Sequence, residues 1–494
     1  MLILAPMVDA VRFDPALVSI SNEEWDMLSS GVRAVISLLH RQNVELRERV
    51  QALESRLKIN SRNSSKPPSS DPPGTPKPPS QKSSSGKKSG AQPGHRGSFR
   101  SLADQSQVDE FVDHYPQRCG ECHQDLSQDE SRDSATLGSP ERHQVFEIPR
   151  VAAKLWEHRL HTLTCAHCGV ATKAELPPDI SKNSFGPRLQ ALTAILTGRY
   201  HLSRRAVQNF LEQVLGVPIS EGSIYAFEQA TSAALEAPYK EIHQAASDAP
   251  IRHLDETGWK HNKARGWVWV VAAQMCTLFF LAGSRAREVL TKSFGTVLQD
   301  NGINVSDRYR AYLCFPMVRR QICHAHLKRD YRKMKERGGP AAEVGEAALA
   351  AHHDIFLLYH RCRTGEINRA VFRQEIKPLK KRLYFALQAG TKLADKEIAG
   401  MCRDILAHWL AMWTFVRVAG VEPTNNNAER PIRKVVLWRK GSFGTRSESG
   451  CRFVERMLSV TETCRQMERD LLEYVTAAIH ARMLGVSAPS LFPG

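Results

Sequence analysis

Residues 60 to 100 hold eight prolines, eleven serines and eight basic residues against a single acid. Such a stretch cannot bury enough apolar surface to offset the entropy of ordering it, so it reads as a disordered basic linker. It is either a solvated tether kept extended by its charge or a segment that lies along a polyanion. Whatever folds must therefore do so on either side of it, in residues 1–59 and in residues 101–494.

The first of these carries a seam. Val32, Ile36, Leu39, Asn43, Leu46, Val50, Leu53 and Leu57 alternate by four and three, the spacing of a coiled coil, with Asn43 at an a position where a buried amide fixes register. Arg49 at g can reach Glu54 at e of a parallel partner. A homodimer, or a higher oligomer, is expected through residues 1–59; a single amphipathic helix packed on its own protein is the alternative.

Beyond the linker, Cys119-x-x-Cys122 and Cys165-x-x-Cys168 are separated by 42 residues (123–164). Each pair can offer two thiolates to one tetrahedral ion, so a structural Zn²⁺ on Cys119, Cys122, Cys165 and Cys168 is expected within a zinc-binding domain over 101–175. His123 and His167 are possible substitutes, and Gly120 and Gly169 supply small residues for the turns. Eleven cysteines, mostly scattered, make no secreted disulfide framework and point to a reducing, cytoplasmic compartment. The N-terminus lacks a signal-peptide pattern, and the apolar run 267–282 is too short for a spanning helix and fits two buried strands, so no membrane partner is expected.

From 176 to 249 the pattern is helical. Leu189, Leu192, Ile195 and Leu196 share a face, Arg204 and Arg205 open a second helix, and Ser220 caps a third after Gly216 and Pro218, an order compatible with a helix-turn-helix that binds DNA. The formal charge of +16 and pI near 9.4 favour a polyanionic partner.

Further on, residues 251–259 and 267–280 read as strands, and 302–306 as another ending on Asp307. Asp255 lies within the first, and Glu429 opens a helix after the Asn-rich turn 424–427. Carboxylates from two strands and a helix are what two hard divalent cations need in order to bridge one phosphate. Singly, each acid has an ordinary reading: Asp255 capping a turn, Asp307 starting a helix, Glu429 pairing with Arg433. Glu256, one residue from Asp255, should face the other side of the strand.

At this point the chain resembles the insertion sequence 66 family of DDE transposases over nearly its whole length. Asn60 to Asp71 resembles the family's leader after its leucine zipper, Gln92-Pro93-Gly94-His95 its next motif, and the cysteine pairs its zinc-binding domain. Asp255-Glu256-Thr257, Ser306-Asp307 and Asn426-Asn427-Ala428-Glu429-Arg430 resemble its aspartate strands and glutamate helix. The resemblance implies a multidomain α+β protein: the coiled coil, the zinc-binding domain, the helical domain, and an RNase H-like catalytic domain over 250–470 with a helical insertion about 331–424, followed by a tail at 471–494. It implies Mg²⁺ (or Mn²⁺) held by Asp255, Asp307 and Glu429, and metal-dependent cleavage and strand transfer of DNA at the element's inverted repeats. The protein would then be nucleoid-associated, with companion proteins of the same element as further partners. Arg204, Arg205, Arg430, Arg433, Lys434, Arg439 and Lys440 are the expected DNA-binding residues, Arg439-Lys440 resembling the family's Arg-Lys pair. Cys323-x-x-His326 resembles an element that follows the second aspartate in several DDE families, and is expected to pack beside the site without binding metal. The competing readings are a sequence-specific regulator or a scaffold derived from such an enzyme, without catalysis.

Overall fold

A computed structural model describes residues 25, 27–57, 101–126, 139–149, 151–180 and 183–492; the linker and the two motifs within it lie outside these. Among the described residues are fifteen α-helices and two sheets, a mixed α+β protein. They form two compact units. One holds 177–203 and 224–492 together with the N-terminal helix, the other 101–176 and 204–223.

The N-terminal helix α1 (Ser30–Leu57) leaves its seam uncovered within the chain: Val32, Leu39, Leu46 and Val50 are 44–59% exposed. Arg49 pairs with Glu45 one turn earlier, both ends solvent-facing.

The second unit contains the hairpin of β1 (Thr162–Thr164) and β2 (Ala171–Lys173), paired antiparallel with Thr162 opposite Lys173. Next along the chain come α2 (Pro187–Gly198), α3 (Arg204–Leu215), α4 (Glu221–Ala234) and α5 (Glu236–Asp248). The expected helical domain over 176–249 is not a unit: α2 and α5 belong to the first unit and α3 to the second. The helix-turn-helix reading also weakens at α4. Ser220 does cap it, accepting from Ser223 N at 3.1 Å, but α4 carries no Lys or Arg, has Glu221 in its first turn and buries Ile224, Phe227, Glu228 and Thr231. A helix that enters a major groove needs an exposed face without net negative charge.

The first unit is organised by a five-stranded sheet in the order β5-β4-β3-β6-β7. Strands β3 (Ile251–His261), β4 (Ala264–Ala272) and β5 (Thr277–Ala282) form an antiparallel meander. Asn262 and Lys263, both at positive φ, make the two-residue turn whose twist suits a hairpin. After α6 (Arg287–Phe294) and α7 (Val297–Asp300), β6 (Ile303–Ser306) lies parallel to β3 and β7 (Arg320–Ile322) parallel to β6. Val268 to Ala272 are all buried, the mark of a strand covered on both faces.

Helices α8 (His324–Glu336), α9 (Gly339–Arg363), α10 (Arg369–Gly390), α11 (Lys396–Ala407) and α12 (Thr414–Arg417) follow β7 and close a core of their own around Leu327, Ala348, Ile355, Phe372, Leu387 and Phe415, joined to the sheet through Val305 and Ile322. The chain returns as α13 (Asn426–Ser442), α14 (Glu448–Gln466) and α15 (Leu471–Met483). Helix α14 covers the free edge of the sheet in an unusual way. The β5 amides of Thr277, Phe279 and Leu281 donate to Thr463 Oγ1, Ser459 Oγ and Glu455 Oε1, at 3.3, 2.8 and 2.6 Å. Side chains one turn apart thus satisfy the alternate N–H groups that an edge strand would leave open to another chain. The expected tail over 471–494 is, in its described residues, part of the folded unit: α15 buries Leu471, Tyr474, Val475, Ala478 and Ile479 and packs on α2.

Candidate active site

Alternation along β3 sends Leu254 and Glu256 to one side and Asp255 to the other. Asp255 sits opposite Val270 of β4, and its Oδ1 accepts the Glu256 amide at 2.9 Å. Burial pushes its carboxyl well above the usual range, and the charges of Glu256, Asp307 and Glu429 push it further.

Asp307 follows β6 directly. Its Oδ1 accepts from Tyr309 N at 2.8 Å, and its backbone oxygen accepts from Arg320 Nη2 at 2.6 Å. Arg320 is fully buried on β7 and burial lowers its guanidinium to about 10, with Asp307 opposing the shift.

Glu429 is in the first turn of α13, where the helix dipole favours a carboxylate. The Asn-rich turn ties that helix end to the strand of Asp255: Asn425 Nδ2 donates to Leu254 O at 2.7 Å, Asn427 Nδ2 lies 3.3 Å from His253 Nε2, and Asn425 N donates to Cys323 Sγ at 3.2 Å. Burial raises the Glu429 carboxyl, Asp307 adds to the rise, and Arg329 opposes it. Asp255 thus senses Asp307 and Glu429, and Glu429 senses Asp307, a concentration of like charge that a divalent cation would relieve. Oxygen donors of this kind fit Mg²⁺ or Mn²⁺.

Cys323 and His326 stand against Glu429. The thiol of Cys323 is 3.9 Å and Nδ1 of His326 3.7 Å from Glu429 Oε1. Burial drives the imidazole of His326 down to about 4 and the thiol of Cys323 up to about 11. Beside them is a polar cavity of about 430 Å³, lined by Asp307, Arg308, Tyr309, His326, Arg329, Asp330 and Asp404. In it Arg308 is held by Asp330 at 2.5 Å and by Asp404. Arg329 lines the same cavity, and its charge acts on Glu429.

Glu256, expected to be a bystander, is clamped. Its buried carboxylate accepts from Arg285, through Nε at 2.7 Å and through Nη2, and from the Tyr312 hydroxyl. Arg285 in turn lies over the Tyr309 ring at 3.7 Å and that of Trp267 at 4.9 Å. Nothing in the sequence around 285 marks this network.

The expected DNA-binding residues divide. Arg430, Arg433 and Lys440 are exposed along one face of α13. Lys434 is paired with buried Glu462, and Arg439 donates to Gly258 O and Thr257 Oγ1 of β3, so both brace α13. Arg204 and Arg205 lie in the first turn of α3, Arg205 paired with Glu221 at 3.1 Å.

Each cysteine pair in the second unit forms a knuckle of the same shape. His123 N donates to Cys119 O at 3.1 Å and Gly169 N to Cys165 O at 2.9 Å, with His123 and Gly169 both at positive φ; the left-handed position of the first turn thus falls on His123 and not on Gly120. Among the described residues the three or more possible ligand atoms gathered within 4.8 Å are those of Cys323, His326 and Glu429; the four knuckle sulfurs are not so gathered. All eleven cysteines are free thiols.

Two family models match this chain. One, described as the Transposase IS66 family, covers residues 182–452, from α2 to the start of α14. The other, a family of unknown function (DUF6444), covers residues 12–101. An uncharacterized protein, y4hP, of Sinorhizobium fredii (strain NBRC 101917 / NGR234) is 24% identical over 371 residues, 68% of this chain and 66% of that protein, so the chain spans just under two thirds of that relative's length. No helix among the described residues is long and apolar enough to cross a membrane.

Proposed function

We propose, since the chain belongs to the transposase IS66 family, that it is the DNA strand-transferring enzyme of a mobile element, built on an RNase H-like sheet. The observation that carries this reading is the convergence of Asp255, Asp307 and Glu429, with burial raising the carboxyls of Asp255 and Glu429 and the charge of Asp307 adding to both, at the foot of a helix whose exposed face is basic. Divalent ions at these carboxylates would activate a water and stabilise a leaving 3′ oxygen, the chemistry of two-metal phosphoryl transfer.

The chain's own residues supply the rest. Asp255 on a covered strand and Asp307 at the end of its parallel neighbour are rigid, and Asn425 and Asn427 fix Glu429 to the same strand. Arg430, Arg433 and Lys440 continue from Glu429 along α13 and suit a duplex backbone, while Arg329 faces the cavity where a phosphate would sit. The sheet order supports the RNase H-like assignment: three antiparallel strands followed by two parallel ones, with acids on the central strand and its parallel neighbour. Self-association through α1, a Zn²⁺ that Cys119, Cys122, Cys165 and Cys168 would hold once their sulfurs are drawn together, and companion proteins of the element belong to the same reading.

The test is incubation of the full chain with labelled element ends and Mg²⁺. Cleaved ends bearing a free 3′-hydroxyl, with no covalent protein–DNA adduct, are expected. Binding without scission would instead favour a regulator or scaffold.

A further inference from the structure

The Cys323-x-x-His326 element has no task in that chemistry, yet the fold gives it the form of a metal knuckle. Cys323 closes β7 and caps α8, which puts His326 in the first turn of α8 and both side chains against the first turn of α13. Their ligand atoms, with a Glu429 oxygen, all lie within 4.8 Å of one another, and Nδ1 of His326 is buried without a hydrogen-bond partner.

A second feature is independent of that distance. Asn425 N, from the turn that opens α13, donates to the Cys323 sulfur at 3.2 Å and holds it beside the first turn of that helix. The Cys-x-x spacing of the two knuckles thus recurs at the start of a helix, where a histidine replaces the second cysteine and a carboxylate from α13 stands opposite.

We propose that Cys323, His326 and Glu429 form a binding site for a zinc-class ion, distinct in ligand chemistry from the oxygen site of Asp255 and Asp307. Thiolate, imidazole and carboxylate suit Zn²⁺ or Co²⁺ and do not suit Mg²⁺, which takes oxygen ligands. Tetrahedral zinc with bonds of about 2.0 to 2.3 Å needs ligand atoms roughly 3.5 Å apart. The 3.9 and 3.7 Å separations to Glu429 Oε1 require only a small contraction. Three protein ligands leave the fourth position open to water or another small donor. The proposal rests on the strand-transfer reading only in giving Glu429 a second ion to hold.

The full chain is stripped of metal and titrated with Co²⁺, following the bound equivalents and the thiolate-to-cobalt absorption. Cys323→Ser and His326→Asn should each bind one equivalent fewer than the parent and lose part of that absorption, whereas Cys362→Ser, at a partly buried thiol outside the cluster, should keep the parent count. Mg²⁺ in about a hundredfold excess should not displace the ion. An unchanged count in folded variants, verified by circular dichroism, overturns the site; should Cys323→Ser fail to fold, partly exposed His326 decides. End cleavage in Mg²⁺ measured on the same preparations separates the two ideas, because cleavage by the parent with an unchanged cobalt count removes this site and leaves the strand-transfer reading intact.

Discussion

At Asp255 one carboxylate meets burial and three like charges, and the effect of that crowding depends on pH. Its proton is held more tightly in the folded chain than in the unfolded one. Metal-free stability should therefore be full below the ordinary carboxylate range and fall as pH rises toward the raised value. A cation displaces that proton, so stabilisation by Mn²⁺ should grow across the same interval, read by thermal melts with and without Mn²⁺ between about pH 5 and 8. An equal Mn²⁺ effect at both ends would contradict the assignment, and Asp255→Asn should flatten the trend. Glu256 makes the opposite point. It does not face the cluster as a free ligand, yet Glu256→Ala strands Arg285 and Tyr312 and should lower stability by on the order of 3 kcal/mol in urea unfolding. A midpoint unchanged from the parent would show that the Arg285 clamp is not needed.

Among elements, α13 is the one on which the site turns. It is pinned at its start by Asn425, in its middle by Lys434 to Glu462, and near its end by Arg439 to β3. Asn425→Ala leaves Leu254 O without its buried donor and should cost about 1 to 3 kcal/mol while weakening Mn²⁺ binding, measured by melting and by titration. Undiminished Mn²⁺ affinity would mean that Glu429 is placed without this tie. The strands around Asp255 and Asp307 were legible because β-branched and aromatic runs, a turn and a chain of motifs all agreed. The double use of α13's cations was not, because a Lys or Arg reads the same whether it meets a phosphate or a buried Glu462. Nor could periodicity reveal Glu455, Ser459 and Thr463 serving a strand edge, since polar residues on a helix ordinarily signal solvent. In α1 the seam reads directly as an exposed apolar stripe. Removing residues 1–59 should turn an oligomer into a monomer by sedimentation, whereas the same oligomer after deletion would place the interface elsewhere.

For the whole molecule, the division into two units changes how DNA binding must be tested. A fragment ending at residue 249 looks self-contained in the sequence, but it would cut α2 from α14 and α15 and expose their shared core. That partition was hidden because non-local packing leaves no mark on a linear pattern. Binding is better dissected in the full chain: Arg430→Ala, Arg433→Ala and Lys440→Ala together should reduce the slope of log affinity against log salt by about 2.7, three phosphate contacts at roughly 0.9 each. An unchanged slope would remove that face from the DNA interface. The central claim is that Asp255, Asp307 and Glu429 act on the scissile phosphate and not on recognition. Its most direct test measures end binding and Mg²⁺-dependent end cleavage on the same samples of Asp255→Asn, Asp307→Asn and Glu429→Gln. Binding within about twofold of the parent with cleavage reduced by at least about a thousandfold in each, and no further loss in the triple variant, is the predicted result. Near-parental cleavage by any one of the three would contradict it.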